Sequence, residues 1–109
     1  MNAMRRDVFQ AIADPTRRAI LVLIAPQAMT PNAIAAHFET TRQAVSRHLR
    51  ILTECQLVQQ RQSGREIFYQ LNETTMNEID NWLKQLRRIW EGRFKGLDNV
   101  LLTLKNNRT

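Results

Sequence analysis

The sequence predicts a mainly α-helical protein with about five helices and a single two-stranded β-hairpin. Apolar residues recur at three- and four-residue steps over most of the 109 residues, which is the period of a helix face. The chain holds only three glycines and three prolines, and 43% of its residues are hydrophobic. A period of two is found only near 66–71, which is typical of a strand. The length is that of a single domain spanning 1–109.

The first two helices are predicted from their apolar faces and start signals. Residues 4–13 place Val8, Phe9 and Ile12 on one face. Asp14-Pro15 then supplies a cap and a first-turn proline for a second helix, which must end near Pro26.

Residues 30–55 predict two short helices joined by a tight turn. Thr30-Pro31 repeats the start signal, and Thr40-Thr41-Arg42-Gln43 fits a capping box that begins the second helix near 41. The two apolar stripes can share one core: Ile34, Ala35 and Phe38 on the first helix, and Val45, Leu49 and Leu52 on the second. A helix-turn-helix of this kind is typical of proteins that bind DNA through the second helix.

The second of these helices, over 41–54, carries the side chains expected to contact DNA. They point away from its apolar stripe and are Arg42, Gln43, Ser46, Arg47 and Arg50. Guanidinium, amide and hydroxyl groups pair with guanine edges, adenine edges and phosphates.

A β-hairpin is predicted over about 57–71. A short run over 57–61 is separated by Gln62-Ser63-Gly64-Arg65 from a segment in which apolar residues alternate. A hairpin directly after a reading helix makes a winged helix-turn-helix. Arg61 and Arg65 would be the wing contacts to DNA. The alternative is that both are solvent-exposed charges of the hairpin that contact no DNA.

The last segment predicts a long amphipathic helix over about 75–104, beginning at the capping box Thr75-Met76-Asn77-Glu78. At 1.5 Å per residue it would span roughly 44 Å, which is more than a domain of this size covers with its own core. Gly92 and Gly96 are places where it could bend or break. The alternative is a helix packed wholly within the monomer.

We expect a homodimer joined through the N- and C-terminal helices, with two reading helices roughly 34 Å apart. The residues expected in this interface are large and apolar: Phe9, Trp82, Leu86, Ile89, Trp90, Phe94, Leu97 and Leu101.

The formal net charge of +6 favours a polyanionic partner, either nucleic acid or an anionic membrane surface. Residues 40–65 hold five arginines against one acid, Glu54, so much of the positive excess lies on the expected reading unit. No stretch approaches the roughly 20 apolar residues of a membrane span, and the N-terminus lacks the apolar core of a signal peptide. We therefore expect double-stranded DNA as the partner, no membrane association and a cytoplasmic location.

Catalytic and metal chemistry find little support in the sequence. Cys55 is the single cysteine, which excludes an intrachain disulfide and a cysteine cluster for zinc. We expect it to be buried, with a redox-sensing thiol as the alternative. His48 is expected to be packed or bonded to backbone, with a direct base contact as the alternative, and His37 is expected to lie at the surface. No catalytic residue, cofactor or phosphate-binding loop is predicted, and an enzyme is not expected.

Three segments together resemble the ArsR family of bacterial winged-helix repressors: DPTRRAIL at 14–21, AVSRHLRIL at 44–52 and SGREIFYQL at 63–71. The resemblance implies a dimeric, cytoplasmic transcription regulator that binds an imperfect inverted repeat in a promoter and blocks transcription. It also implies the DNA contacts, which are Thr41, Arg42, Gln43, Ser46 and Arg47 on the reading helix and Arg65 on the wing.

The sequence departs from the pattern of the metal-sensing members of the family that it resembles. Some of those members have paired cysteines on the helix before the reading helix, where this chain reads NAIAAHF at 32–38. Others have clustered Asp and His residues on the C-terminal helix, where this chain has Asp80 and Asp98 but no histidine. A borderline-soft ion would find no thiolate or imidazole pair at either site. We predict no metal sensing there, and three alternatives stay open for an inducer: an organic small molecule, another protein, or none.

Besides an enzyme, which is not expected, two classes of function remain. The leading one is a sequence-specific repressor that binds an inverted-repeat operator. The other is a winged-helix protein-interaction module that binds a partner through the Trp82/Trp90 stripe and touches DNA only non-specifically.

Overall fold

The computed structural model describes residues 7–107, with backbone alone for 93–100 and 106–107. The described residues form α1 (Val8–Ala11), α2 (Pro15–Ile24), α3 (Pro31–Ala35), α4 (Arg42–Glu54), β1 (Val58–Ser63), β2 (Glu66–Leu71) and α5 (Glu73–Asn107). The predicted fold class, with five helices and one hairpin, is confirmed. Contacts divide the chain into two compact units, Met1–Met76 and Asn77–Thr109.

Helix α1 begins one residue after Asp7 because that carboxylate accepts the backbone N–H of Gln10 at 2.8 Å. The Gln10 side chain accepts the backbone N–H of Asp7 in return, which completes a capping box that was not predicted from the sequence. The helix ends at Ala11, so it is shorter than the predicted 4–13; residues 4–6 lie outside the described part of the chain.

Helices α2 and α3 begin where their caps and prolines predict. Asp14 accepts the N–H of Arg17 at 3.0 Å, and Thr30 accepts the N–H of Ala33 at 3.2 Å. Helix α2 ends at Ile24, before Pro26, as predicted. Helix α3 has only five residues, so Phe38 lies beyond its end.

Helix α4 begins after Thr41, whose hydroxyl oxygen accepts the N–H of Ala44 at 3.1 Å. The predicted capping box on Thr40 is wrong, because the cap is one residue later and its third helical residue is an alanine that cannot bond back. At the other end Gln56 adopts a left-handed φ of 61°, and the Leu57 N–H returns to the Leu52 carbonyl at 2.9 Å.

The wing is an antiparallel hairpin with a two-residue turn at Gly64 and Arg65. Ser63 pairs with Glu66, and the register continues to Val58 opposite Leu71. Gly64 has φ +64°, a conformation that glycine adopts without the steric cost of a Cβ atom. The first strand therefore runs two residues further than the predicted 57–61.

Two backbone hydrogen bonds fix the wing to the loop before α3. The Met29 N–H donates to the Tyr69 carbonyl at 3.0 Å, and the Tyr69 N–H donates to the Met29 carbonyl at 2.8 Å. The core beneath is built from side chains of α1, α2, α3, α4 and β1, and Cys55 is buried within it as predicted. Its buried hydrophobic residues are Ala11, Ile20, Ile24, Ile34, Val45, Leu49, Leu52, Cys55, Leu57 and Val58.

Helix α5 is continuous from Glu73 to Asn107 and passes through Gly92 and Gly96 without a break. Its predicted start at Thr75 is two residues late. The Asn72 side chain accepts the N–H of Thr74 at 3.1 Å and so caps the helix ahead of Glu73, and Thr75 is a buried residue of the first turn. At 1.5 Å per residue the helix is about 52 Å long. Within the described residues, no helix is both long and apolar enough to cross a membrane.

Candidate nucleic-acid interface

The exposed face of α4 gathers five of the predicted contact residues on one surface. Val45, Leu49 and Leu52 are buried against the core, so the positions between them turn outward at 100° per residue. A shallow concavity on that side is lined by Arg42, Gln43, Ser46, Arg47 and Arg50. We call this surface the α4 face.

The side chains of the α4 face are available for an external partner. Among the described residues, none of the guanidinium groups of Arg42, Arg47 and Arg50 takes part in an ion pair or an intramolecular hydrogen bond. A guanidinium offers five N–H donors in a planar fork that matches a phosphate or a guanine edge. The surface therefore presents many unused donors and little negative charge.

A groove between α3, α4 and the wing extends the α4 face. It is lined by Thr30, Pro31, Asn32, Arg42, Ser46, Arg65, Glu66, Ile67 and Tyr69. The groove thus brings Arg65, a predicted wing contact, to the same surface as Arg42 and Ser46. Asn32 and Tyr69 are lining residues that were not predicted from the sequence. Tyr69 comes beside α4 through the pairing of the wing with Met29.

A neighbouring depression lies between the other end of α4 and the first strand of the wing. It is lined by Ser46, Arg50, Thr53, Glu54, Gln60 and Tyr69. The Gln60 amide donates to the Tyr69 hydroxyl at 3.0 Å, which leaves the phenolic O–H proton of Tyr69 able to donate. Gln60 and Tyr69 are thus further polar groups at the edge of the α4 face.

Arg61 lies on the opposite face of the wing. It pairs with Phe68 across the hairpin, whereas Gln60 and Tyr69 form the adjacent pair, and adjacent pairs point to opposite faces. The Arg61 guanidinium carbon lies 5.5 Å from the centre of the Phe68 ring. The structure therefore does not bring Arg61 together with the residues of the α4 face.

Thr41 stands at the N-terminus of α4, next to the α4 face. Its oxygen caps the helix by accepting the Ala44 N–H, and its hydroxyl proton can still be donated. The helix terminus adds partial positive charge and unpaired N–H groups. This end of α4 is suited to a phosphate.

His48 is half-buried and faces α2 rather than the α4 face. Its Nδ1 atom lies 3.4 Å from an Arg17 guanidinium nitrogen and 3.9 Å from the Asp14 carboxylate. This agrees with the prediction of a packed histidine, and among the described residues the ring is bonded to a side chain rather than to backbone. His37 is exposed, as predicted, and its Nδ1 lies 2.9 Å from the Ala33 carbonyl.

Arg17 also acts on Asp14. The backbone N–H of Arg17 holds the pKa of the Asp14 carboxyl below its usual value of 3.8, and the charges of Arg17 and His48 act in the same direction. Burial opposes this shift but does not reverse it. The carboxylate is therefore stabilised in its charged form at the N-terminus of α2.

Comparison with known proteins gives this surface a context. A family of helix-turn-helix domains matches residues 12–61. The chain is 40% identical over 77 residues to the transcriptional repressor SdpR of Bacillus subtilis, covering 71% of this chain and 86% of SdpR. It is 34% identical over 93 residues to the HTH-type transcriptional regulator Rv2034 of Mycobacterium tuberculosis, covering 85% and 84%.

The ArsR-like transcriptional regulator from Rhodococcus sp. RHA1 has a similar structure, with a TM-score of 0.72 and 29% identity, over 85% of this chain and 88% of that one. The chain belongs to the ArsR family of helix-turn-helix transcriptional regulators. This ArsR-family protein is a DNA-binding transcriptional regulator, and its family consists of such regulators rather than enzymes. The resemblance seen in the sequence is confirmed.

A further solved structure shares the winged fold of this ArsR-family protein. It is the homodimeric winged helix-turn-helix DNA-binding domain Mb0332 from Mycobacterium bovis, a possible ArsR-family regulator. The TM-score is 0.62 at 24% identity, over 72% of this chain and 73% of that one. The winged helix-turn-helix architecture predicted from the sequence is therefore confirmed.

The acidic, cysteine and histidine side chains of the ArsR-family protein are dispersed over its described residues. Within that part of the chain no group of three His, Cys, Asp or Glu side chains is close enough to hold a metal ion. On α5, Asp80 forms an ion pair with Lys84 at 3.0 Å, and the side chain of Asp98 lies outside the described residues. The described side chains supply no ready-made ligand set.

Proposed function

We propose that this ArsR-family regulator is a sequence-specific repressor that binds an inverted-repeat operator as a homodimer. The observation that carries the proposal is the α4 face, where guanidinium, amide and hydroxyl groups point outward together and form no ion pair with any other described residue. A helix of this kind fits the major groove of B-DNA, and its outward side chains then meet the base edges.

The side chains of the α4 face divide into two roles by chemistry. Arg42, Arg47 and Arg50 suit guanine edges or phosphates, and Gln43 suits an adenine edge. Ser46 is short and accepts or donates, so it suits either a base or a phosphate. We assign Thr41 a phosphate contact at the start of the helix.

The wing supplies contacts beside the helix in this proposal. Arg65 shares a groove with Arg42 and Ser46, so a phosphate in that groove can meet arginines from both elements. Arg61 faces the other side of the hairpin. We keep it as a wing contact to a more distant part of the DNA backbone, secondary to Arg65.

The homodimer is supported by an apolar stripe on α5. Leu86, Ile89 and Leu101 are each about half exposed or more, at 46%, 63% and 54%. Trp82 and Trp90 are also exposed on this helix, and Phe9 is exposed on α1; the side chains of Phe94 and Leu97 lie outside the described residues. A second copy would bury such a stripe, and Mb0332 shows that this fold occurs as a homodimer.

The remaining parts of the proposal concern regulation and place of action. SdpR is named a transcriptional repressor, which supports repression as the sign of regulation. We propose a cytoplasmic regulator made of one domain over 1–109, with a helix-turn-helix at about 30–55, a wing at about 57–71 and a dimerisation helix at about 75–104. We further propose that it does not sense metal through the usual family sites, and that an effector, if one exists, is a small organic molecule or a protein.

The substitution Arg47→Ala tests this function. An operator is first selected from random duplexes with the wild-type protein. Arg47→Ala should then bind it about 10- to 100-fold more weakly, since an arginine bidentate to a base contributes about 1–3 kcal/mol and also neutralises charge. Fluorescence anisotropy measures the affinity, and sedimentation checks that the oligomeric state is unchanged.

Arg88→Ala is the matched control. Arg88 is exposed on α5, lies opposite the apolar stripe by helical geometry, and carries the same charge. It should leave the operator affinity within about twofold of wild type. Equal operator affinities for Arg47→Ala and Arg88→Ala would argue for the alternative, a protein-interaction module that binds DNA only through charge.

A further inference from the structure

Arg17 on α2 joins two other helices through one guanidinium group. Its Nε donates to the Ala11 carbonyl at 2.6 Å and one terminal nitrogen donates to the Gln10 carbonyl at 3.3 Å, both at the end of α1. Its other terminal nitrogen lies 3.4 Å from Nδ1 of His48 on α4. Three helices therefore meet at a single side chain.

The bond to His48 has a defined direction. A guanidinium carries donors only, so the contact is a hydrogen bond in the neutral imidazole tautomer that has its proton on Nε2, where Nδ1 of His48 is the acceptor. Asp14, at 3.9 Å from the same nitrogen, is beyond hydrogen-bond distance. Arg17 is thus the side chain that holds the His48 ring from α2.

A directional bond at this place can set the orientation of α4. The contacts of Val45, Leu49 and Leu52 with the core are apolar and carry no directional bond, so on that side only close packing restrains the rotation of α4. A hydrogen bond weakens steeply when its angle changes. Arg47, which precedes His48 directly, changes position with any rotation of α4 about its axis.

We propose that Arg17 is a positioning residue for DNA reading: through His48 it fixes the rotation of α4 relative to α1. The proposal rests on the proposed function, in which α4 reads the operator. Because misplacement by about 1 Å weakens precisely oriented contacts, losing the Arg17–His48 bond should lower operator affinity although neither residue belongs to the α4 face.

The test compares Arg17→Met with Arg18→Met. Both substitutions remove one positive charge and keep most of the aliphatic stem. Arg18 also donates to a backbone carbonyl near α1, that of Ile12 at 2.8 Å, but no bond of Arg18 to α4 is found among the described residues. Affinities for the selected operator and for a shuffled duplex are measured by anisotropy at one salt concentration.

We expect Arg17→Met to bind the operator about tenfold more weakly than Arg18→Met, with equal affinities of the two variants for the shuffled duplex. His48→Phe keeps a ring but removes the acceptor, and it should lower operator affinity by a similar factor. The double variant should bind no more weakly than the weaker single variant, because both substitutions remove the same bond.

Three results would overturn the inference. They are equal operator affinities of Arg17→Met and Arg18→Met, a wild-type operator affinity of His48→Phe, and a double variant whose loss of operator affinity is the product of the two single losses. His48→Phe leaves the bonds of Arg17 to α1 in place. If Arg17→Met does not fold, the operator affinity of His48→Phe therefore tests the role of the Arg17–His48 bond. Arg47→Ala, measured alongside, separates the two proposals, because its failure to weaken binding would refute the reading role of α4 itself.

A spectroscopic signal tests the bond without DNA. The ¹⁵N resonance of His48 Nδ1 should shift between wild type and Arg17→Met and should not shift in Arg18→Met. His37, whose Nδ1 lies next to the Ala33 carbonyl, is the internal control. An unmoved His48 resonance in Arg17→Met would contradict the bond.

Discussion

At the scale of single residues, short polar side chains decide where the helices of the first unit begin. Asp7, Asp14, Thr30 and Thr41 each accept a backbone N–H three residues later, at distances of 2.8–3.2 Å. Each bond satisfies one of the N–H groups that a helix start leaves unpaired. The start of α4, and with it the position of Arg42 in the first turn, is therefore set by one threonine.

Gln56 is the non-glycine residue with a positive φ among the described residues. Its left-handed φ of 61° is unfavourable because it brings the Cβ atom close to the following carbonyl oxygen. Gln56→Gly should raise the free energy of unfolding by about 0.5–1 kcal/mol, the difference between relieved strain and the greater freedom of glycine in the unfolded chain. Urea denaturation measures this change. An unchanged or lowered midpoint would contradict the expectation.

Gly64→Ala is the counterpart of that substitution. No atom lies within 4 Å of the position that a Cβ atom would take at Gly64, so the backbone conformation alone should decide the effect. With φ at +64°, the alanine should lower the free energy of unfolding by about 1 kcal/mol.

Asp14 makes part of the stability depend on pH. Because the Arg17 N–H lowers the pKa of Asp14 below 3.8 in the folded state, its stabilising effect is complete above about pH 3.8 and is lost as the pH falls through the lower folded value. Asp14→Ala should cost about 1 kcal/mol near neutral pH. The stability difference from wild type should narrow in acid.

Thr30→Ala provides the control for this pH dependence. Thr30 caps α3 with a neutral hydroxyl, so its replacement should cost a similar free energy at every pH. Denaturant curves for both variants between pH 3 and 7 measure the two profiles. Parallel profiles would show that the Asp14 cap does not act through its charge.

Several caps could be predicted from the sequence and others could not. Asp14 and Thr30 each precede a proline, and a proline in the first turn leaves one start for the helix. Thr40 and Thr41 offer the same hydroxyl at adjacent positions, and only the three-dimensional turn selects Thr41. The start of α5 was misplaced because Asn72 caps it, although Thr75 and Glu78 match a capping box.

At the scale of elements, the periodicity of α4 was sufficient to predict the α4 face. Buried Val45, Leu49 and Leu52 recur at helical steps, so the outward positions followed from spacing alone. The place of the wing was not predictable in the same way. It depends on the pairing of Tyr69 with Met29, two residues 40 positions apart in the chain that carry no local signal for each other.

The register of the wing gives different expectations for its two arginines. Arg65 lines the groove with Arg42, whereas Arg61 packs over Phe68 on the other side. Arg65→Ala should weaken operator binding by about tenfold and reduce the salt slope by about one. Arg61→Ala, which removes the same charge, should have a clearly smaller effect in the same anisotropy assay. A reversed order would mean that the other side of the wing faces the DNA.

At the scale of the whole molecule, the exposed stripe of α5 is the feature that calls for a second copy. Leu86→Glu places a charge within the stripe, and burying an unpaired charge costs several kcal/mol. We expect this variant to sediment with the mass of one chain at concentrations where wild type has twice that mass.

Asn81→Glu is the matched variant for the dimer. Asn81 is exposed on α5 and lies away from the apolar stripe by helical geometry, and the substitution introduces the same charge. It should leave the dimer intact. Equal sedimentation of both variants would show that the stripe does not join two copies.

The central claim, that the α4 face reads a DNA sequence, is tested most directly by a salt series. The wild-type protein is titrated against its selected operator and a shuffled duplex of equal length, each at low and at near-physiological salt. Charge-driven binding falls steeply with salt whatever the sequence, while base contacts are far less sensitive. The account predicts that operator binding persists at near-physiological salt while binding to the shuffled duplex collapses. Equal affinities that fall together with salt would contradict it.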